Sequence, residues 1–530
     1  MYFTLNESKP WLKNWSHGVP KHIEYPTVPL HALLYQAAKN HPKKTVITCG
    51  TQEITYSDLD LLSNQFANAL IAKFGVEKGE CVALYLPNVP QFVIAYFGAL
   101  KTGAAVTAIS PLHRGREVEH QLKDSRAETI VTLDTLYPVV ADAREKTHQK
   151  NIVISRIGEC GVFEDFQDRF SEEPPDVAVD SEDLAVLQYT GGTTGIAKGA
   201  MLTHYNLVSN AQAFAAMIQA KSSDIFLAAL PLFHIYGMTT SMATPISVAA
   251  KMVLLPKFEP AKALQSIQQQ KVTVFCGVPT MYQYLLANPD LAKYDLKSIR
   301  VCISGAASLP PQVQKQFMEV TGGFLAEGYG LTEASPVTHC NPVDRARLHV
   351  GSIGLPLPDT DAKIVDLETG TKTLAAGETG ELAVKGPQIM SGYWQKPAET
   401  ALVLHSGWLL TGDIARMDPD GYFYIVDRKK DLIKHKGFSV YPRELEDVLY
   451  EHPAVRLCAV VGKADAVAGE VPKAFVVLKE NAAVLAEDLM AFVNTKVASY
   501  KAIREVEFRK ELPLSAAGKV LRRQLKEQQS

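Results

Sequence analysis

The stretch between residues 83 and 109 constrains the fold most. Ala83-Leu84-Tyr85-Leu86 is a short apolar run with the length of a buried strand, Gln91 to Leu100 reads as a helix, and Ala104 to Ile109 is a second apolar run. Strand, helix and strand in that order make a parallel pair joined by a crossover helix. The same alternation returns at Asp224 to Leu230, Lys251 to Leu255, Val272 to Phe275 and Arg300 to Ile303, each followed by a loop and a helix-like stretch. The pattern predicts an α/β fold of mostly parallel sheets flanked by helices.

A chain of 530 residues exceeds the size at which one core stops growing, roughly 250–300 residues, so two or more domains are expected. From Gly351 the texture changes. Glycine and proline become frequent, and segments such as Ala362-Lys363-Ile364-Val365 and Gly380 to Val384 alternate, which predicts a β-rich subdomain over about 351–426. Beyond it a strand over Tyr422 to Val426 leads into the charged run Asp427-Arg428-Lys429-Lys430-Asp431. A helix over Arg443 to Glu451, a strand over Leu457 to Val461 and a helix from Ala486 to about Ser499 follow. The expected division is a large N-terminal domain, 1–429, and a small mobile α+β domain, 430–530, with the boundary near Lys430.

Hydrophobic residues at 47% and charged residues at 21% are the balance of an ordinary soluble protein, and a net charge of −3 gives no electrostatic case for nucleic acid. The seven cysteines are scattered and never spaced as CxxC, which argues against a disulfide framework or a zinc cluster. Met1 to Lys9 lack the basic start and apolar run of a signal peptide. The most apolar region, Phe92 to Ile109, is broken by Lys101 and falls short of the ~20 residues that a membrane span needs. A cytoplasmic protein is expected, monomer or homodimer, with peripheral contact at the inner face of the membrane left open.

After the apolar run Leu184 to Gln188 comes Tyr189-Thr190-Gly191-Gly192-Thr193-Thr194-Gly195-Ile196-Ala197-Lys198-Gly199. Glycines let the backbone approach an anion, hydroxyls add donors, and Lys198 adds positive charge. The loop is not a Walker motif. Counted from Gly192, the second glycine position is Ala197, and Lys198 is followed by Gly199 where that motif needs Ser or Thr. A surface turn of the same composition is the competing reading of the loop by itself.

Five further segments follow in order: Leu230-Pro231-Leu232-Phe233-His234, Gly328-Tyr329-Gly330-Leu331-Thr332-Glu333, Gly407 to Asp413, Asp427 to Asp431, and Gly518-Lys519. With the loop they resemble the signature set of the acyl-adenylate-forming superfamily, and the stretches Phe233 to Met238, Tyr329 to Pro336 and Val440 to Glu444 look most like bacterial long-chain fatty-acid–CoA ligases. Plant-type 4-coumarate–CoA ligases share several of them. The resemblance implies a reaction in two halves: a carboxylate attacks the α-phosphate of ATP and releases pyrophosphate, then the thiol of coenzyme A attacks the acyl-adenylate. ATP, Mg2+ and coenzyme A are the implied cofactor and co-substrates, and a fatty acid the implied acid.

The same resemblance assigns roles. Thr190, Gly191, Gly192, Thr193, Thr194, Gly195 and Lys198 would cradle phosphates, and Glu333 with Thr190 would hold Mg2+. Gly305, Ala306 and Ala307 would pass the adenine edge, with Tyr329 stacked on it and Glu327, Gly328, Gly330 and Thr332 alongside. Asp413 and Arg428 would bind ribose, and Lys434 would reach the α-phosphate. Lys519 would bridge carboxylate and α-phosphate, although Ala517 departs from the usual family pattern before Gly518-Lys519. His234, which would move between half-reactions, is expected to line an acyl pocket with Ile235, Tyr236, Gly237, Met238, Val278 and Gly328. Lys430 would be the hinge, and Lys436, Gly437 and Phe438 would meet coenzyme A. Three alternatives stay open: an aryl acid–CoA ligase, an adenylation enzyme that loads a carrier protein, and a nucleotide- or acyl-binding protein without activity.

Overall fold

The computed structural model describes residues 9–155, 169–190, 197–436, 438–465, 467–514 and 520–528. The chain divides into two compact units. The first comprises residues up to Val350 together with Gly354–Asp361 and Val384–Leu409; the second comprises Gly351–Ile353, Ala362–Ala383 and the chain from Leu410 onward.

The first unit is built on two large sheets. In the seven-stranded sheet, Leu184–Thr190, Ala105–Ala108, Cys81–Tyr85, Thr129–Leu133 and Asn151–Ser155 run parallel, and Lys198–Thr203 and Gly392–Tyr393 extend it antiparallel. The predicted crossover is present: Cys81–Tyr85 and Ala105–Ala108 are parallel neighbours, joined by the helix Pro90–Lys101. Every residue of that helix is buried, as its near-continuous apolar sequence requires. A Cβ on Gly98 would lie 2.7 Å from the Phe66 ring, so glycine there allows the close approach of the helix Tyr56–Ala72. Lys101 is also buried, and its ammonium donates to Asp60, Ser63 and Asn64 at 2.7, 2.8 and 2.6 Å, the pairing that an interior charge demands.

The nine-stranded sheet has a parallel centre of Phe324–Gly330, Val301–Ser304, Val274–Gly277, Ile225–Ala228, Lys251–Leu254 and Thr45–Cys49. The strands expected from the apolar runs at 224, 251, 272 and 300 are all in it. Antiparallel strands, Val337–Cys340 with Leu355–Pro356 at one edge and Gln52–Thr55 at the other, close it. The crossover helices Pro260–Gln270, Pro279–Leu286 and Pro311–Thr321 each begin with proline, whose missing N–H is no loss in a first helical turn.

Asp361–Val365, Thr379–Lys385, Trp408–Met417 and Phe423–Arg428 form one sheet, most of whose residues belong to the second unit. A second sheet pairs Val455–Asp465 with Gly469–Leu478 antiparallel, with Glu505–Phe508 parallel to the latter and Ile433–His435 and Phe438–Val440 at the other side. Its core packs Ile433, Val440, Leu445, Leu449, Val460, Val476, Leu489 and Val493. The helix expected to reach Ser499 stops at Asn494. Thr495 and Val497, both β-branched, follow at once and favour its end there. Within the stretch expected to be β-rich, Val384–Leu409 belongs to the first unit, because Gly392–Tyr393 pairs with Lys198–Thr203. Among the described residues no helix is long and apolar enough to cross a membrane.

Candidate active site

The Gly/Thr-rich loop connects two strands. Leu184–Thr190 enters it and Lys198–Thr203 leaves it antiparallel, with Tyr189 opposite Gly199 and Thr190 opposite Lys198. A Walker loop runs into a helix N-terminus, whereas here the strand after the loop pairs antiparallel with the strand before it. Gly191 to Gly195 lie outside the described residues. Both ends of the loop are tied to the helix Gly115–Ser125: the Tyr189 hydroxyl donates to Asp124 at 2.6 Å, and His120 Nε2 lies 3.2 Å from the Ala197 carbonyl oxygen. Lys198 forms an ion pair with Glu399 and stands 5.2 Å above the centroid of the Tyr393 ring. Tyr393 in turn donates to Glu333 Oε1 at 2.7 Å. Glu333 sits half-buried on the single turn Thr332–Ala334, just after the strand Phe324–Gly330.

Next to this cluster lie the carboxyl ends of the parallel strands, where ligands of open α/β sheets bind. Val301–Ser304 ends at Gly305, whose N–H donates to the Gly277 carbonyl at 3.0 Å. A Cβ at Gly305 would lie 2.9 Å from the Tyr236 ring. Ala306 holds a left-handed backbone with φ +66°, a strained choice for a residue with a Cβ, and Ala306 and Ala307 are exposed. Tyr236 is buried and donates to the Ile303 carbonyl at 3.0 Å. Val278, Ile235 and Met238 are buried beside these turns, and Gly237 follows a local need, since a Cβ there would lie 2.3 Å from the Pro231 carbonyl oxygen. His234 is half-buried and its Nδ1 accepts the Tyr236 N–H at 3.2 Å, capping a short helix. Met238 opens a π-helical turn, Met238–Ala243. Gly328 and Tyr329 pair with Cys340 and His339 across the antiparallel edge, with the half-buried Tyr329 ring 6.0 Å from that of His339. The Glu327 carboxylate is buried and accepts the Leu309 N–H at 3.2 Å, so it holds the loop that follows Ala307.

In the second unit, Asp413 and Arg428 are opposite one another on antiparallel strands, and Arg428 Nε lies 3.3 Å from Asp413 Oδ1. The bend before Asp413 depends on Gly412, at φ +73°. Buried Glu381 accepts the Gly412 N–H at 3.0 Å and the Lys429 ammonium at 2.8 Å, and so fixes both strands of the pair. Lys430 lies exposed in a turn directly after. Lys434 is exposed with its ammonium 3.0 Å from Ser439 Oγ, and Lys436 is exposed at φ +49°. Phe438 is 56% exposed yet stacks on Tyr500 with centroids 4.9 Å apart. Arg522 gathers three carboxylates around the charged run: Glu446 at 2.5 Å, Asp431 at 3.2 Å and Asp427 at 3.7 Å. Burial pushes the Asp427 carboxyl up to about 6. Gly437 and Lys519 lie outside the described residues.

The pattern of the AMP-binding enzyme family matches residues 34–394, and that of the AMP-binding enzyme C-terminal domain matches 444–519. The chain belongs to the AMP-binding enzyme family. Within it, a long-chain-fatty-acid–CoA ligase of Bacillus subtilis (strain 168) is 42% identical over 99% of each chain. A 4-coumarate–CoA ligase 2 of Petroselinum crispum is 36% identical, covering 96% of this chain and 94% of its own. Among solved structures, the anthranilate CoA ligase AuaEII in complex with anthranoyl-AMP superposes with a TM-score of 0.89 at 30% identity, over 95% of this chain and 98% of its own.

Of the residues singled out from the sequence, this family member brings Thr190, Lys198 and Glu333 into one neighbourhood through Tyr393, and Asp413 and Arg428 into one ion pair. Tyr393, Glu399 and Glu381 were missed. Each lies outside the recognisable motifs, and each acts through a partner distant in sequence.

Proposed function

We propose that the chain is an ATP-dependent fatty-acid–CoA ligase, which activates a medium- or long-chain fatty acid as acyl-AMP and then transfers the acyl group to coenzyme A. The observation that carries this reading is the likeness to the Bacillus subtilis long-chain-fatty-acid–CoA ligase along 99% of both chains.

The donor set fits the chemistry. Joining a carboxylate to a phosphate brings two anions together, so positive charge and hydrogen-bond donors matter more than a protein nucleophile. Lys198 and the hydroxyls of the loop supply donors for the phosphates, and Lys519 supplies the charge at the reacting oxygens. Among the described residues no group of three or more His, Cys, Asp or Glu side chains could cage a metal. That suits Mg2+, which keeps most of its ligands from phosphates and water and takes one or two protein carboxylates. Glu333, one of whose oxygens accepts from Tyr393, would hold the ion with Thr190 as the hydroxyl partner, and the ion would neutralise phosphate charge. Asp413, an acceptor, takes the ribose hydroxyls beside Arg428. The small domain begins near Lys430, in the interval between the two family patterns, and turns about that residue to bring Lys436, Gly437 and Phe438 to coenzyme A.

The second reading, an aryl acid–CoA ligase, rests on the 36% identity to the 4-coumarate enzyme. Acid-dependent pyrophosphate release, compared across aliphatic and aryl acids, decides between them. Fatty acids are the expected substrates, and a response to aryl acids alone would replace the first reading with the second.

A further inference from the structure

Tyr393 touches both Lys198 of the phosphate loop and Glu333, and belongs to none of the motifs singled out above. It lies on the short strand Gly392–Tyr393, paired with Ala200 one residue beyond Gly199. Two backbone bonds lock that strand to the hairpin: Ser391 N–H to Met201 O at 3.0 Å and Trp394 N–H to Gly199 O at 2.8 Å. The Tyr393 N–H donates to Thr400 Oγ1 at 2.9 Å. The backbone at Tyr393 is therefore held at three points, and the residue is only 9% exposed. Its hydroxyl donates to Glu333 Oε1 at 2.7 Å, while the Met390 N–H donates to the Glu333 carbonyl at 2.9 Å. Its ring face lies under the Lys198 ammonium, 5.2 Å from centroid to Nζ, within cation–π range. Lys198 is also ion-paired with Glu399.

We propose that Tyr393 is a positioning residue for adenylation, which sets the metal carboxylate Glu333 with its hydroxyl and the phosphate-binding Lys198 with its ring. This rests on the reading of Glu333 and Lys198 given above. The physical logic is that of groups behind metal ligands. A ligating carboxylate with one oxygen engaged by a fixed donor presents the other in one direction, so less ordering remains when the ion arrives. The ring adds a weak, non-bonding seat for the ammonium. Lys198 can leave Glu399 for a phosphate without losing that seat.

The test uses the full-length enzyme with ATP, Mg2+ and a fatty acid, reading pyrophosphate release against Mg2+ concentration. Tyr393→Phe keeps the ring and deletes the hydroxyl. Loss of one partner behind a metal ligand typically weakens metal affinity about 10- to 100-fold, so half-saturation should move to higher Mg2+ by about that factor. Tyr393→Leu should show the same shift and, in addition, a raised KM for ATP at saturating Mg2+. Thioester formation from supplied acyl-AMP and coenzyme A should be unchanged in both. The same shift should appear in Mg2+-dependent ATP binding measured by calorimetry without acid, where no turnover occurs; half-saturation does not depend on the folded fraction, so partial unfolding cannot imitate it. A rate that falls at every Mg2+ concentration with unchanged half-saturation would overturn the positioning role and leave the ligase reading intact. Wild-type enzyme that releases no pyrophosphate with any acid would instead overturn the ligase reading, and this proposal with it.

Discussion

Asp413 and Arg428 stand opposite each other on neighbouring antiparallel strands, with the guanidinium Nε 3.3 Å from the carboxylate. Buried Glu381 accepts the Gly412 N–H at 3.0 Å and holds the turn before Asp413 in place. Asp413→Ala should lower kcat/KM for ATP about 10- to 100-fold, the range expected when hydrogen bonds to a charged group are lost, about 1.5–3 kcal/mol. Arg428→Ala should cost less, and the double variant should fall short of the sum of the two because the residues share one contact. Steady-state kinetics in ATP check this. Lowered stability with an unchanged KM for ATP would make the pair a structural clasp only.

Under the proposed domain rotation, losing Lys519 should affect one half-reaction only. In the account above it serves acyl-AMP formation and is absent from the thioester step. Lys519→Ala should reduce acid-dependent pyrophosphate release by ~100–1,000-fold, the usual effect of losing one preorganised contact to developing charge. Conversion of supplied acyl-AMP to the CoA thioester should stay near the wild-type rate. Equal losses in both would contradict domain rotation.

Arg522 is the only described partner common to Asp427, Asp431 and Glu446, which flank the expected hinge. Removing it leaves Asp427, with a side chain 1% exposed, facing Glu446 without a counterion. Arg522→Leu should destabilise the second unit by about 3–5 kcal/mol, as for a buried pair broken on one side. Denaturant unfolding followed by limited proteolysis should show the region after Lys430 opening first. Unchanged resistance there would assign the cluster no structural weight.

Burial keeps His204 and His339 neutral in the folded protein. His204 accepts the Leu30 N–H on Nδ1 at 3.0 Å, and burial lowers it to about 4; burial lowers His339 to about 3. Both folded values lie below the ordinary 6.5, so between those limits the unfolded chain binds more protons. Stability from these groups is complete above pH 6.5 and is lost as pH falls toward 4. Between pH 6.5 and 5 the loss should be about 1.5 kcal/mol per histidine. Denaturant midpoints at pH 7 and 5 measure it, and His204→Gln should reduce the difference. Midpoints equal at both pH values would count against neutral burial.

Much of the first unit was legible because its strands are buried on both faces. A parallel strand under helices leaves a continuous apolar run, and Val301–Ser304 and Val274–Gly277 are such runs, readable without partners. The hairpin at the phosphate loop was not legible. Nothing local distinguishes Lys198–Thr203 as a returning strand, since its register with Leu184–Thr190 is set by pairing on both sides, including Gly392–Tyr393 almost two hundred residues on. The site followed the same rule. Glu333, Asp413 and Arg428 stood in recognisable motifs. Tyr393 and Glu381 did not, because their part is to hold another residue, and that becomes visible only when residues 60 and 31 positions apart meet as hydrogen-bond partners.

The central claim is that this chain joins fatty acids to coenzyme A through an acyl-adenylate. The most direct test incubates the full-length enzyme with ATP, Mg2+ and coenzyme A and measures CoA-thioester yield over saturated fatty acids of graded length, with 4-coumarate and benzoate alongside. The account predicts thioester formation that peaks among medium- or long-chain fatty acids, with pyrophosphate released in equal amount. Thioester formation from the aryl acids alone, or pyrophosphate release with no thioester from any acid, would contradict it.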